Sequence, residues 1–284
     1  MIPTVDMAKL FAEKGVKTTV ITTPLNAPFT SEAIGKLKTN HNEIHIETIE
    51  FPFAEAGLRD GWESTDSMRS PDLIQPFLMA TGLLQEPLEQ LLLKQNPDCI
   101  VADMFFPWAT DSSAKFGIPR LVFHGYSFFS LCAFSCMKLY EPRNNVSSDS
   151  EWFVIPNLPC EIRMERTQVP PSTEIKEKKG VVKLLAEAKE SESRSYRVVV
   201  NSFYELEKVY ADHFRNVLGR KAWHIGPLSL CNRDTEDKAH RGKEASIYEQ
   251  ERLKWLDTKK TSSVVYICFG SRVNMADSQL REIA

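Results

Sequence analysis

The stretch Pro97–Phe129 reads PDCIVADMFFPWATDSSAKFGIPRLVFHGYSFF, and its reading decides the fold. Cys99–Ala102 is a short apolar run ended by an acid, Asp103. Pro107 suits the first turn of a helix, where its missing N–H has no partner to lose and its fixed φ is already helical. That helix is predicted to run to about Phe116, where Gly117 and Pro119 close it, and Arg120–Phe123 gives the next strand. Strand, helix and strand in this order make one βαβ turn, the crossover that parallel strands need. In open parallel sheets the ligand lies beyond the carboxyl ends of the strands. Asp103 falls there and is the candidate functional carboxylate; the plainer alternative is a cap for the turn that follows it.

The rhythm extends both ways. Thr4–Lys14 reads as a helix stopped by Gly15, Val16–Thr22 as a β-branched strand ended by Pro24, Ser31–Lys38 as a short helix and Glu43–Phe51 as a strand. Pro52–Ser70 reads as a loop near the ligand edge, and Pro71–Gln95 as a helical region interrupted at Pro87. Beyond the central stretch come a buried helix from Tyr126 through Tyr140 and surface segments at Arg143–Ser150 and Pro156–Ser172. An amphipathic helix (Gly180–Arg194), a strand (Arg197–Asn201), a helix (Leu206–Leu218) and a strand (Ala222–Gly226) follow. One Rossmann-like unit closes there. Ser229–Ala245 is charged, lacks a hydrophobic period and reads as a linker. Tyr248–Asp257 is then a helix and Ser263–Phe269 a buried strand, with a further helix from Ala276. The expected division is residues 1–228, a linker over 229–246, and the start of a second unit over 247–284. A βαβ protein should place a strand ahead of its first helix, and the sequence from Met1 shows none.

With 284 residues, 42% apolar and 26% charged, the composition is that of an ordinary globular protein with room for two domains. The formal charge of −3 is mixed along the chain, which argues against nucleic acid and against a polybasic membrane contact. No apolar stretch reaches the ~20 residues a bilayer needs, and MIPTVDMAKLF lacks the pattern of a secretory signal, so the cytoplasm is expected. The six cysteines are scattered, three within apolar runs, as suits reduced core thiols.

Other constellations weaken on inspection. Gly270 and Ser271, after an apolar strand and before a helix, could present N–H groups and a hydroxyl to phosphate oxygens, although tight strand-to-helix turns use the same residues. Neither G-x-G-x-x-G nor G-x-x-x-x-G-K-[ST] occurs, which disfavours a nicotinamide or P-loop site. His41 and His45 flank Glu43 in the order H-N-E-I-H, not H-E-x-x-H, and a strand period would keep the rings apart, so no metal is expected. Around Ser127, Gly125 has no second glycine to complete a nucleophile elbow, which leaves a serine hydrolase a poor third reading. Phe105, Phe106, Trp108, Tyr126, Phe128 and Phe129 crowd the two strand ends near Asp103, and a flat hydrophobic ligand would suit such a wall. Some of these rings should instead be core.

These segments resemble the plant secondary-product UDP-glycosyltransferases, two-domain enzymes of the GT-B architecture. MIPTVDMAKLFAEKG is similar to the family's first helix, DCIVADMFFPWATDSSAKFGIPRLVFHG to the centre of its acceptor domain, VVVNSFYELE and AWHIGPLSLC to later acceptor-domain strands, and LKWLDTKKTSSVVYICFGS to the entry of its donor domain. The combination looks most like the subgroup acting on flavonoids, other phenolics and triterpenoids. The resemblance implies an α/β fold: a Rossmann-like acceptor domain with a parallel sheet, then the start of a second Rossmann-like domain that binds the donor. It implies transfer of a sugar, glucose foremost, from a UDP-sugar to an acceptor hydroxyl with inversion. The UDP-sugar is a co-substrate, and neither cofactor nor metal is implied. In the family a histidine at the end of the first strand deprotonates the acceptor and an aspartate orients it; Asp103 matches the aspartate, and the histidine would precede Met1. Gly270 and Ser271 match a diphosphate-contacting turn, and Phe105, Trp108, Tyr126 and Phe129 the acceptor wall. Arg59 and Arg272 stand where proline and an apolar residue are more usual. The resemblance thus describes a fragment without its general base and most of its donor site, from which no transfer is expected, and a monomer at full length. The alternative from another class is a non-catalytic module that binds a hydrophobic small molecule or a partner chain.

Overall fold

A computed structural model describes residues 2–35, 44–64, 71–169, 179–232, 249–267 and 275–283. Helix α1 (Ile2–Glu13) leads into strand β1 (Thr18–Thr22), which pairs in parallel with β2 (Ile44–Thr48) so that Val20 lies opposite Ile46. Between them, α2 (Ala27–Gly35) begins earlier than the expected Ser31, because Pro28 falls in its first turn, where an amide is dispensable. Helices α3 (Ile74–Leu83) and α4 (Gln85–Gln95) replace the single helical region predicted to break at Pro87. The break comes at Leu84 instead; Pro76 and Pro87 each occupy a first turn and so interrupt nothing.

The central stretch folds as read. Strand β3 (Ile100–Asp103) is followed by α5 (Ala109–Lys115), which Gly117 terminates with φ +68°, and then by β4 (Arg120–His124). Helix α6 (Phe128–Tyr140) comes next. An antiparallel ribbon of β5 (Trp152–Val154) and β6 (Arg163–Glu165) forms where no strand was predicted, β6 within the surface segment Pro156–Ser172; Phe153 points inward, against Cys136 and Ile155, while Trp152 and Val154 face out. Helix α7 (Lys179–Arg194), β7 (Arg197–Val200), α8 (Lys208–Asn216) and β8 (Ala222–His224) complete this part.

Strands β3, β4, β7 and β8 form one parallel sheet in that order, and β1–β2 a second. No strand among the described residues joins the two. A parallel sheet must be covered on both faces. On one face Val101, Phe123 and Val199 meet Met7 of α1 and Leu228. On the other, Ile100 and Ala102 pack with Leu88, Leu92, Ala109 and Ile118, while Val198 and Val200 pack with Phe128, Cys132, Ala211 and Phe214. Cys132 and Cys136 are buried free thiols, Cys99 and Cys160 are exposed ones, and burial pushes Cys132 up to about 12.

The chain beyond β8 corrects two expectations. Leu228–Cys231 forms a 3-10 turn on α1, and buried Asn232 accepts from Lys9 Nζ (3.1 Å) and donates to Asp6 Oδ1 (2.8 Å), so residues 229–232, expected to open the linker, pack against α1 instead. Helix α9 (Glu249–Asp257) forms, but the described part of the strand predicted over Ser263–Phe269, residues 263–267, is neither strand nor buried: Val265 is 83% and Tyr266 87% exposed. A strand exists only through a neighbour's hydrogen bonds, and no described strand lies beside this one. Helix α10 (Asp277–Ile283) ends the described chain.

Two buried oxygens hold the start of α6. Glu207, 7% exposed, accepts from the N–H groups of Phe128 and Phe129, both at 2.9 Å, so a distant carboxylate satisfies amides that no helical carbonyl can reach. Glu207→Gln keeps only one acceptor oxygen and loses the charge. It is expected to destabilise the protein by about 1–3 kcal/mol, read as a lower urea midpoint at an unchanged m-value.

Candidate functional site

Asp103 ends β3 at the carboxyl edge of the sheet, opposite Phe123. Its Oδ1 accepts the Phe105 N–H (3.0 Å), and its carbonyl accepts from the Phe106 N–H (3.1 Å) and from Arg120 Nη2 (2.9 Å). It shares a strand face with Val101, hence the side of the sheet that carries α1. Burial pushes the Asp103 carboxyl above its ordinary value, while the Phe105 N–H and the nearby His124 and Arg120 pull the other way. The acid is therefore both the cap of its own turn and a half-buried carboxylate held in one place.

On the opposite face of β4, His124 Nε2 lies 2.9 Å from Glu192 Oε2 of α7, and Nδ1 is buried without a hydrogen-bond partner among the described residues. The sequence reading passed over Arg120, His124, Glu192 and Glu207. For Arg120 and His124 the available signal was two ionisable side chains on one face of an otherwise apolar strand, since a charge facing a buried layer must find partners there.

The aromatic residues part company. Phe105 and Tyr126 are exposed, with Tyr126 edge-on to Phe134 at 6.0 Å. Trp108 packs among the residues of α4 and α5, edge-on to Phe106 at 5.8 Å, and Phe129 packs against Tyr210 of α8 at 5.0 Å. The four do not form one continuous wall, because a helix start at 128 turns Phe129 toward α8. Ser127 caps α6, its Oγ accepting the Ser130 N–H at 3.2 Å, which is the structural role left for it once a nucleophile is set aside. His45 lies on β2 and is exposed, whereas His41, Gly270, Ser271 and Arg272 lie outside the described residues. Among the described residues no group of His, Cys, Asp or Glu could hold a metal ion, and no helix is long and apolar enough to cross a membrane. A groove of about 440 Å³ lined by Arg197, Arg215, Arg220, Lys221 and Trp223 opens at the start of β8, the opposite end of the sheet from Asp103.

A parallel sheet clad by helices, with a carboxylate held at its carboxyl edge, is a Rossmann-like arrangement. The chain is 55% identical over all 284 of its residues to a scopoletin glucosyltransferase of Nicotiana tabacum, covering 60% of that protein. To a UDP-glucose flavonoid 3-O-glucosyltransferase of Fragaria ananassa it is 53% identical over its whole length, covering 57% of that relative. Among solved structures it matches a Glycyrrhiza uralensis UDP-glycosyltransferase complexed with glycyrrhetinic acid 3-O-monoglucuronide, with a TM-score of 0.86 and 38% identity over 99% of this chain and 56% of that one. No protein-family model matches. The chain is similar over its whole length to plant UDP-glycosyltransferases, and it spans under two thirds of the length of the relatives it matches.

The raised Asp103 value fixes a sign. Folding favours the protonated carboxyl, so Asp103 contributes least to stability when ionised: its contribution is fullest below the ordinary carboxyl value of 3.8 and is lost as pH rises through the folded value. Asp103→Asn keeps an oxygen for the Phe105 N–H and never ionises. Its urea midpoint is expected to exceed that of the parent chain at pH 7, with the gap closing as pH falls toward 4, and an Asn variant weaker at pH 7 would contradict the assignment.

Proposed function

We propose that the whole protein transfers glucose from UDP-glucose to a hydroxyl of a small hydrophobic plant metabolite, a flavonoid, another phenolic or a triterpenoid, with inversion. The observation that carries this is identity above 50% across the entire chain to relatives named as glucosyltransferases of scopoletin and flavonoid acceptors, together with Asp103 fixed at the carboxyl edge of the sheet. A hydroxyl is a poor nucleophile near neutral pH and needs a base as it attacks. Asp103 serves by accepting the far N–H of a base histidine, which sets the tautomer and stabilises imidazolium as it forms. Phe105 and Tyr126 supply exposed aromatic surface to the acceptor, with Trp108 and Phe129 behind them in packed positions. Gly270 and Ser271 contact the donor diphosphate, and side chains and helix ends stabilise departing UDP without a metal. Residues through Asn232 bind the acceptor, a linker follows, and residues from about 247 begin the donor-binding domain. The protein acts as a monomer in the cytoplasm.

A non-catalytic binding module is the second reading, favoured by the exposed apolar run Val264–Ile267. Saturable flavonoid binding with no turnover at the relatives' full length would decide for it.

In a chain of the relatives' full length, Asp103→Asn is expected to lower kcat for glucose transfer from UDP-glucose by at least ~10² while leaving the KM for UDP-glucose near that of the parent. Near-normal turnover would remove Asp103 from the reaction. Tyr126→Ala and Phe105→Ala are expected to raise the acceptor KM with little change in kcat, as measured by product formation at varied acceptor.

A further inference from the structure

We infer that Arg120 is a positioning residue for Asp103, a buried guanidinium that fastens both ends of the turn carrying the carboxylate. Arg120 opens β4 opposite Ile100, is 2% exposed, and extends its side chain along the sheet toward the carboxyl edge. There Nη2 donates to the carbonyl of Asp103 (2.9 Å), and Nη1 donates to the carbonyl of Pro107 (3.3 Å) and to Thr110 Oγ1 (2.5 Å). The first and last carbonyls of the segment 103–107 thus meet on one planar group. Within that segment the Phe105 N–H holds the Asp103 carboxylate and the Phe106 N–H its carbonyl. The side-chain direction of Asp103 therefore follows from where Arg120 sets the backbone.

The chemistry of the partners argues for this role over plain packing. Every hydrogen-bond partner of this guanidinium is a carbonyl or hydroxyl, with no carboxylate in hydrogen-bond reach among the described residues. Burying a cation on neutral acceptors is expensive, and an aliphatic residue would fill the first position of a buried strand at lower cost. The fork geometry is what a lysine lacks, since one ammonium cannot lie along two carbonyls held apart by a turn. Burial pulls Arg120 down to about 10, so it stays charged near neutrality. The clamp is also braced from behind. Thr110 Oγ1 donates to the Ser191 carbonyl (3.3 Å), and one residue further along α7 Glu192 meets His124. Helix α7 is thereby tied to β4 and α5 at the level of Arg120.

This inference rests on the proposed role of Asp103, and a double-mutant cycle in a chain of the relatives' full length separates the two. Displacing a catalytic group by ~1 Å costs on the order of 10² in rate. Arg120→Lys is accordingly expected to lower kcat about 10- to 100-fold with both KM values nearly unchanged, and to lower it less than about twofold further in an Asp103→Asn background. Equal losses in both backgrounds would overturn positioning and leave Arg120 a folding residue. If Asp103→Asn alone leaves kcat intact, the functional reading itself falls, whatever Arg120→Lys does. Should Arg120→Lys fail to fold, Thr110→Val removes one acceptor of the guanidinium and Thr110→Ser restores it. A kcat loss in the Val variant, coupled to Asp103 and rescued in the Ser variant, supports the clamp, and equal kcat in the two overturns it.

Discussion

The parallel ladder of β3, β4, β7 and β8 is the constraint on which the rest of the structure depends. Parallel neighbours cannot be joined by a hairpin, so each must be followed by a crossover long enough to return the chain to the same end of the sheet. Crossover helices α5, α6 and α8 cover one face together with α4, which precedes β3, while α1 from the start of the chain covers the other. The same rule leaves every strand's carboxyl end on one edge, where Asp103, His124 and the start of α6 all lie.

Covering both faces buries charged groups as well as apolar ones, and several of them meet specific partners. Glu207 closes the amides at the start of α6, Arg120 spans the turn after β3, Glu192 meets His124, and Lys9, Asp6 and Asn232 bind the end of the first unit to α1. These contacts are directional where the apolar clusters are not. Hydrophobic burial sets how closely the helices lie on the sheet, and the polar pairs set which turn of which helix meets which strand end.

The described residues beyond 249 show the same kind of sequence with no described strand beside it. Val264–Ile267 has the β-branched and aromatic composition of a core strand, yet these residues are exposed and make no ladder, while α9 forms from local hydrogen bonds alone. Helical order is internal to its segment and strand order is shared. That difference accounts for which elements of this segment are present.

Local chemistry made much of the protein readable in advance. The strand–helix–strand order around Asp103 followed from an apolar run, a proline that suits a helix start and a glycine that ends one, all of which act within a few residues. The misread boundaries have equally local causes: a proline counted as a breaker at position 87 falls in a first turn and breaks nothing. Family resemblance was likewise legible, because it lies in contiguous motifs. What the sequence could not determine is whatever depends on residues far apart in the chain. That Phe129 and Trp108 turn into packed clusters while Phe105 and Tyr126 remain outside, and that Arg120, Thr110 and Ser191 converge behind Asp103, was decided when crossover helices packed on the sheet. Strand alternation says only that a side chain faces one layer or the other; which partner waits there is a property of the tertiary structure.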